Sequence, residues 1–219
     1  MIVFSLVFIV GSFLASLDGQ LMVSIGTSLI AGAFLSILTL WIDQIRNAEQ
    51  IRMAALIKTG LHTAHKRRNL PEYDSLVAVA KSIDVAGYTL KSFSEQNEDH
   101  FRSRVKSGNP IVVRILLVDP TTEAARAMEE SEGLKPGTYS SLCESVTRKL
   151  GNIDGVSIRL LSSPLSMMVY RVDNFLYTGP FPTSGKSSTA FTLKIEKGGW
   201  LFDHQAKEFE GLWNKANID

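Results

Sequence analysis

The 219-residue chain has one cysteine, and its first forty-two residues hold no lysine, no arginine and a single acid, Asp18. A lone Cys143 excludes a disulfide framework and fits a reducing compartment. The absence of any basic residue before Arg46 argues against a cleavable secretory leader, which needs a basic start and a soluble continuation. The formal net charge of +1 supplies no field that would recommend nucleic acid as a partner. His62 and His65 stand close together, but no cysteine or carboxylate nearby completes a metal-ligand set. No metal or cofactor is therefore expected.

What is present at the start is apolar. Residues Ile2 to Leu17 and Leu21 to Ile42 form two hydrophobic runs separated by Asp18-Gly19-Gln20. A spanning helix needs about 20 apolar residues, so the second run suffices and the first sits at the short limit. Residues 1–42 read as a two-helix transmembrane hairpin, with the lipid bilayer as partner. Between Asp43 and Arg68 stand Arg46, Arg52, Lys58, Lys66, Arg67 and Arg68 against Asp43 and Glu49. The positive-inside rule then puts both the N-terminus and the following domain in the cytoplasm, in a two-pass arrangement across the inner membrane. Ser24, Ser28, Gly32 and Ser36 make a small-residue stripe on the second helix, and Gly11 and Ala15 repeat the spacing on the first. Such faces let helices approach closely in lipid. The stripe either packs the hairpin together or joins chains into a homodimer or higher oligomer.

Residues 43–75 read as a juxtamembrane helix and linker. Ile45, Ala48, Ile51 and Ala55 give a narrow apolar stripe that continues the second helix to about Ala64. The cluster His65-Lys66-Arg67-Arg68 reads as a solvated linker or a lipid contact, and Leu70-Pro71 as a break.

Residues 76–219 alternate strand-like and helix-like units, which predicts an α/β domain with a mixed sheet. Strands are expected over 83–89, 111–118, 156–161 and 189–196. A hairpin of 167–172 and 175–178 turns at Asp173-Asn174. Helices are expected over 94–106, from after Pro120 to about Glu132, over 138–150, and through Phe202, Ala206, Phe209 and Trp213. The run Val112 to Val118 is apolar throughout save Arg114, the mark of a strand covered on both faces.

The order of these units, with "VVRILLVDP" (112–120), "GVSIRLL" (155–161), "SMMVYRVDNFLYTGPF" (166–181) and "FDHQAKEFEGLW" (202–213), resembles one repeat of the phospholipase D-like superfamily. The resemblance implies a catalytic His, a Lys two residues later, an Asp five beyond that, and a hairpin ending in a Gly-Ser turn. On this chain those positions fall on Ser166, Met168, Asp173 and Gly179. The nucleophile and the phosphate-binding cation are both missing, so the resemblance implies a pseudoenzyme without catalytic residues. It also implies pairing of two repeats, which a homodimer would supply.

Tyr88, Lys91, Arg159, Ser166, Arg171 and Lys186 are the candidate ligand-binding residues, with Arg114 as a further cation. They would take a small phosphorylated ligand, such as a nucleotide signal, near the degenerate motif. Lys186 belongs to the loop "PFPTSGKSS" (180–188), which lacks the spacing of a nucleotide P-loop. Asp119 reads as a turn or cap residue, or else as a catalytic one. Cys143 reads as a packed thiol. Two functions stay open. One is a membrane-anchored sensor or effector whose catalytically inactive domain controls the hairpin and disrupts the inner membrane in antiphage defence. The other is a membrane-tethered phosphodiesterase or nuclease using His100 or His204.

Overall fold

The computed structural model describes residues 2–16, 19–68, 73–183 and 185–218. The expected turn residue Asp18, the break at Leu70-Pro71 and Ser184 of the loop lie outside the described residues. The chain forms two compact units, Met1–Ala55 and Leu56–Asp219.

In the first unit, α1 (Ile2–Ala15) packs on the helix α2 (Gln20–Thr59), whose last residues enter the second unit. α2 is 40 residues long, and its apolar half meets the length and composition of a membrane span. α1 has 14 residues, about 21 Å at the helical rise, short of a hydrocarbon core about 30 Å thick. The two helices meet at glycine. A Cβ on Gly26 would strike the backbone of Gly11 and Ala15, and one on Gly11 would crowd Leu29 and Ile30. Gly26 and Ala33 are the buried residues of α2. The small-residue stripe of α2 therefore does not make this contact. Exposed Ser28 and half-buried Ser36 donate back to the Ser24 and Gly32 carbonyls, and the Cα of Gly32 faces open space. The seam runs through Gly26, which lies directly against the backbone of Gly11 and Ala15.

The second unit is an eight-stranded mixed sheet in the order β1-β7-β6-β5-β2-β3-β4-β8. Its strands are β1 (Leu61–Lys66), β2 (Ser82–Gly87), β3 (Val112–Val118), β4 (Val156–Leu161), β5 (Met167–Val172), β6 (Phe175–Pro180), β7 (Phe191–Glu196) and β8 (Asn217–Ile218). The β2–β3 and β3–β4 pairs are parallel and all others antiparallel. Helices α4 (Lys91–Lys106), α5 (Glu123–Ser131), α6 (Thr138–Leu150) and α7 (Trp200–Lys215) follow the expected positions.

Strand alternation divides the core into two layers. Ile83, Val85, Val113, Ile115 and Leu117 face α3 (Tyr73–Val79), α4 and α6, through Val77, Phe93, Phe101, Val146 and Leu150. Ala86, Leu116, Val118 and Val169 face α7, through Phe202, Phe209 and Trp213. Both faces of β3 are covered, which is why its sequence is an apolar run.

That alternation also places Asp84, Arg114 and Arg171 under α7. The register sets Asp84 beside Arg114 on one side and Arg171 on the other. Asp84 accepts from Arg114 Nε at 2.6 Å and Nη2 at 3.1 Å, and is ion-paired with Arg171. Glu210 of α7 closes the network, accepting from Arg114 at 2.6 and 2.8 Å and from Arg171 at 3.1 Å.

The juxtamembrane reading of 61–66 is corrected. These residues form the edge strand β1, paired with β7, rather than the end of a helix and a linker. Gly60 ends α2 at φ 76°, a conformation suited to glycine, and its carbonyl accepts from Glu196 N at 2.8 Å. β1 then alternates half-buried Leu61, Thr63 and His65 with exposed His62, Ala64 and Lys66.

Candidate ligand-binding cleft

The sheet register gathers one set of strand ends. β2 pairs Ala86 with Val169 of β5, and β5 pairs Met168 with Gly179 of β6. β1 delivers Arg67 to the same end, where its backbone N–H donates to Ala190 at 2.9 Å. Here a cleft of about 460 Å³ opens, lined among others by Arg67, Arg68, Tyr73, Tyr88, Lys91, Glu132, Met168, Tyr170 and Phe181. It lies beyond the carboxyl end of β2, where β2 has a parallel neighbour on one side and an antiparallel one on the other. Open α/β sheets hold ligands in such crevices.

The floor is shaped by a backbone reversal. Leu90, which precedes α4, adopts φ 44° and ψ 26°, a left-handed conformation rare for a leucine. A Cβ on Gly87 would meet the Leu90 side chain at 2.7 Å, so glycine at the end of β2 permits the reversal. Such outliers concentrate at ligand sites, where surrounding packing holds the strain.

The walls are aromatic. Tyr88 and Phe181 meet edge to face at 4.9 Å, and Tyr73 stands edge to face with Tyr170 at 5.8 Å. Burial raises the phenol of Tyr170 to about 12 and pushes those of Tyr73, Tyr88 and Tyr139 above their usual range. At neutral pH these phenols are neutral donors rather than bases.

Arg67 is the central cation. Its guanidinium lies over the Phe181 ring at 5.2 Å, and Nη2 donates to the Pro180 carbonyl at 2.6 Å. Nε and Nη1 are buried without a hydrogen-bond partner among the described residues, as is the Tyr73 hydroxyl. Burial lowers the Arg67 pKa from its ordinary value, opposed by nearby Tyr170 and Glu132. Glu132 has its own partners, since it accepts from Tyr139 Oη at 3.1 Å and from Ser187 N at 3.0 Å.

The expected site residues separate. Tyr88 and Lys91 line the cleft. The Tyr88 hydroxyl meets both the N–H and the carbonyl of Leu165 at 3.3 Å, while its own carbonyl accepts from Cys143 Sγ. Ser166 is exposed and Lys186 lies on the exposed loop, and neither is among the lining residues. Arg159 points elsewhere, donating to the Trp213 carbonyl at 2.8 Å with its guanidinium over that indole. Arg171 and Arg114 are held in the network under α7, on the far face of the sheet. Strand parity decides this: Tyr170 faces the α4 side, so Arg171 cannot.

The remaining expectations also find their places. Asp173, at φ 48°, turns the β5–β6 hairpin and accepts from the Lys81 and Ser82 N–H groups at the end of the sheet opposite the cleft. Gly179 lies within β6 rather than in a turn, where a Cβ would strike the Phe191 carbonyl. Asp119 accepts from Thr121 N at 2.8 Å, and Thr122 caps α5, so the turn reading holds. His100 lies on α4 and His204 on α7, on opposite faces of the sheet, and neither lines the cleft.

Arg67 and Tyr73 are the residues that sequence reasoning missed. The basic cluster concealed the first, because four polar residues in a row read as linker. The alternation of Leu61, Thr63 and His65 was the available signal for a strand that would carry Arg67 into the domain.

No family model and no curated protein matches the chain. Solved structures similar to it include TrmBL2, an archaeal chromatin protein, at 14% identity and TM-score 0.44, covering 89% of this chain and 70% of that one. NucT from Helicobacter pylori matches at 14% identity and TM-score 0.42, covering 66% and 87%. Nuc from Salmonella typhimurium, a phospholipase D family member, matches at 18% identity and TM-score 0.39, covering 66% and 86%. Likeness at this level carries nothing over to the chemistry of this chain.

Proposed function

We propose that the chain is a membrane-anchored receptor whose α/β domain binds a small ligand without transforming it and alters the packing of the N-terminal helices. The observation that carries this reading is the make-up of the cleft. It combines aromatic walls with cationic Arg67, Arg68 and Lys91, and it contains no histidine among its lining residues. Met168 lines it where the phospholipase D-like pattern would put the phosphate-binding lysine. His100 and His204, the residues a phosphodiesterase would need here, stand on opposite faces of the sheet.

The membrane side of the proposal rests on exposed apolar surface. Leu21, Phe34, Leu35, Ile37, Leu40 and Trp41 of α2 and Leu6, Ile9 and Phe13 of α1 all present large side chains outward. A contiguous face of that kind suits lipid rather than water. The two helices would form a two-pass hairpin with both ends of the chain in the cytoplasm of a bacterium, and the output would be disturbance of the inner membrane, as in antiphage defence. The test is membrane potential and viability in cells expressing either the intact chain or one lacking residues 1–42. Depolarisation that depends on residues 1–42 is expected. An effect that survives their deletion overturns the proposal.

A further inference from the structure

We infer that Arg67 and Tyr73 form the anion-binding centre of the cleft and that the group they take is a phosphomonoester, an inference that rests on the receptor reading above. Arg67 Nε and Nη1 and the Tyr73 hydroxyl are three buried donors without an acceptor among the described residues. Both side chains line the one cleft, and Tyr73 is itself 7% exposed. A native fold rarely leaves buried donors unmet, and for a charged guanidinium the cost is greatest.

Glu132 favours the Arg67 charge through space, but neither nearby carboxylate accepts from these donors. Glu132 is committed to Tyr139 and Ser187, and no ion pair joins Arg67 to Asp74 or Glu132. The guanidinium is nevertheless anchored, by the Pro180 carbonyl on one nitrogen and by the face of Phe181. It is held in place with Nε and Nη1 unpartnered among the described residues, the arrangement of a preorganised receptor rather than of a mobile surface cation.

The number of donors selects the ligand class. Three unmet donors on two side chains suit a group with three terminal oxygens better than a carboxylate with two. Arg68 and Lys91 at the rim add positive field for a dianion, against Asp74 and Glu132. The same phosphomonoester could be carried by a soluble metabolite or by a phosphatidic acid headgroup.

The full chain in phosphatidylcholine nanodiscs would be titrated calorimetrically with glycerol 3-phosphate, and in a second arm moved to nanodiscs containing phosphatidic acid. Arg67→Met should weaken glycerol 3-phosphate binding about tenfold or more, and Tyr73→Phe about three- to tenfold. Tyr73→Phe removes only an unpartnered hydroxyl, so its melting temperature without ligand should not fall, which keeps the test sound if Arg67→Met fails to fold. Phosphatidic acid that competes with the soluble probe, and does so through Arg67, would assign the lipid as the source. Binding to the unaltered chain that both variants retain within twofold overturns the inference and leaves the receptor reading standing. Acetate binding as tightly as glycerol 3-phosphate overturns the ligand class. Absence of binding in both arms overturns the inference, and the receptor reading is then decided by its own deletion test.

Discussion

Replacing Asp84 with asparagine should destabilise the α/β domain far more than its small change in shape suggests. Asp84 is 3% exposed and sits between Arg114 and Arg171 on neighbouring strands, with Glu210 of α7 as the other acid of the set. The four side chains sum to zero charge. Asp84→Asn leaves two guanidinium groups, 23% and 19% exposed, sharing one glutamate that is 43% exposed. Breaking a buried ion pair from one side costs about 3–5 kcal/mol. The residual water around both arginines places this case near the lower end, about 3 kcal/mol. Their stacking on Phe209, at 5.1 and 5.8 Å, holds the charges where they are instead of letting them swing outward.

For a domain of this size each kcal/mol moves the melting temperature by about 2–4 °C, so a fall of roughly 6–12 °C is expected. Thermal unfolding of the full chain in detergent, followed by far-UV circular dichroism, would measure it. Glu210→Gln provides the internal comparison, because loss of a half-exposed partner should cost about 1 kcal/mol or less. Replacing Asp84, Arg114 and Arg171 together with apolar residues of similar volume should recover most of the loss. A fall under 2 °C for Asp84→Asn, or one no larger than that of Glu210→Gln, would refute the reasoning.

Further outcomes follow from single contacts. Hydrogen bonds from Arg114, more than those from Arg171, hold the Glu210 carboxyl below its ordinary value of 4.5. Its folded value is the lower one, so its contribution is present above the unfolded pKa and lost as pH falls through the folded one. Arg114→Met should therefore flatten the acid limb of a stability–pH profile, and a limb of unchanged slope would count against the assignment. Gly179→Ala should split β6 from β7 at the Phe191 carbonyl and cost about 3 kcal/mol or more, read as a lowered midpoint in urea. Gly26→Leu should separate α1 from α2, since a side chain there meets the backbone of Gly11 and Ala15. Loss of a disulfide between cysteines placed at Gly11 and Leu29 would report the separation, and its persistence would disprove the seam.

Most of the α/β domain was legible from local pattern. β3 declared itself through an apolar run, the β5–β6 hairpin through Asp173-Asn174, and α6 through Leu142, Val146 and Leu150 with Gly151 as its stop. The cleft was less legible. Tyr88 and Lys91 were reachable because they stand at and just beyond the end of the predicted strand 83–89, and cleft residues gather at strand ends. Arg159, Arg171 and Arg114 were drawn to the same site only because cations suit phosphate. Their parity on β4, β5 and β3 sends them under α7 instead, and parity becomes informative only once the buried face of each strand is known.

The sequence by itself determined that an apolar N-terminal segment precedes a charged α/β domain, because hydropathy and periodicity are local properties of the chain. It also determined that the phospholipase D-like pattern, if laid on this chain, lacks its histidine and lysine. Only the tertiary structure decided that α1 and α2 meet at Gly26 rather than along the serine stripe, since close approach requires small residues opposite one another on two helices. Only the structure turned His65 and Lys66 from a linker into the end of an edge strand that leads to Arg67. β1 has little apolar character of its own, and its identity comes from β7, some 130 residues later, which supplies the hydrogen bonds that bring Arg67 to the cleft.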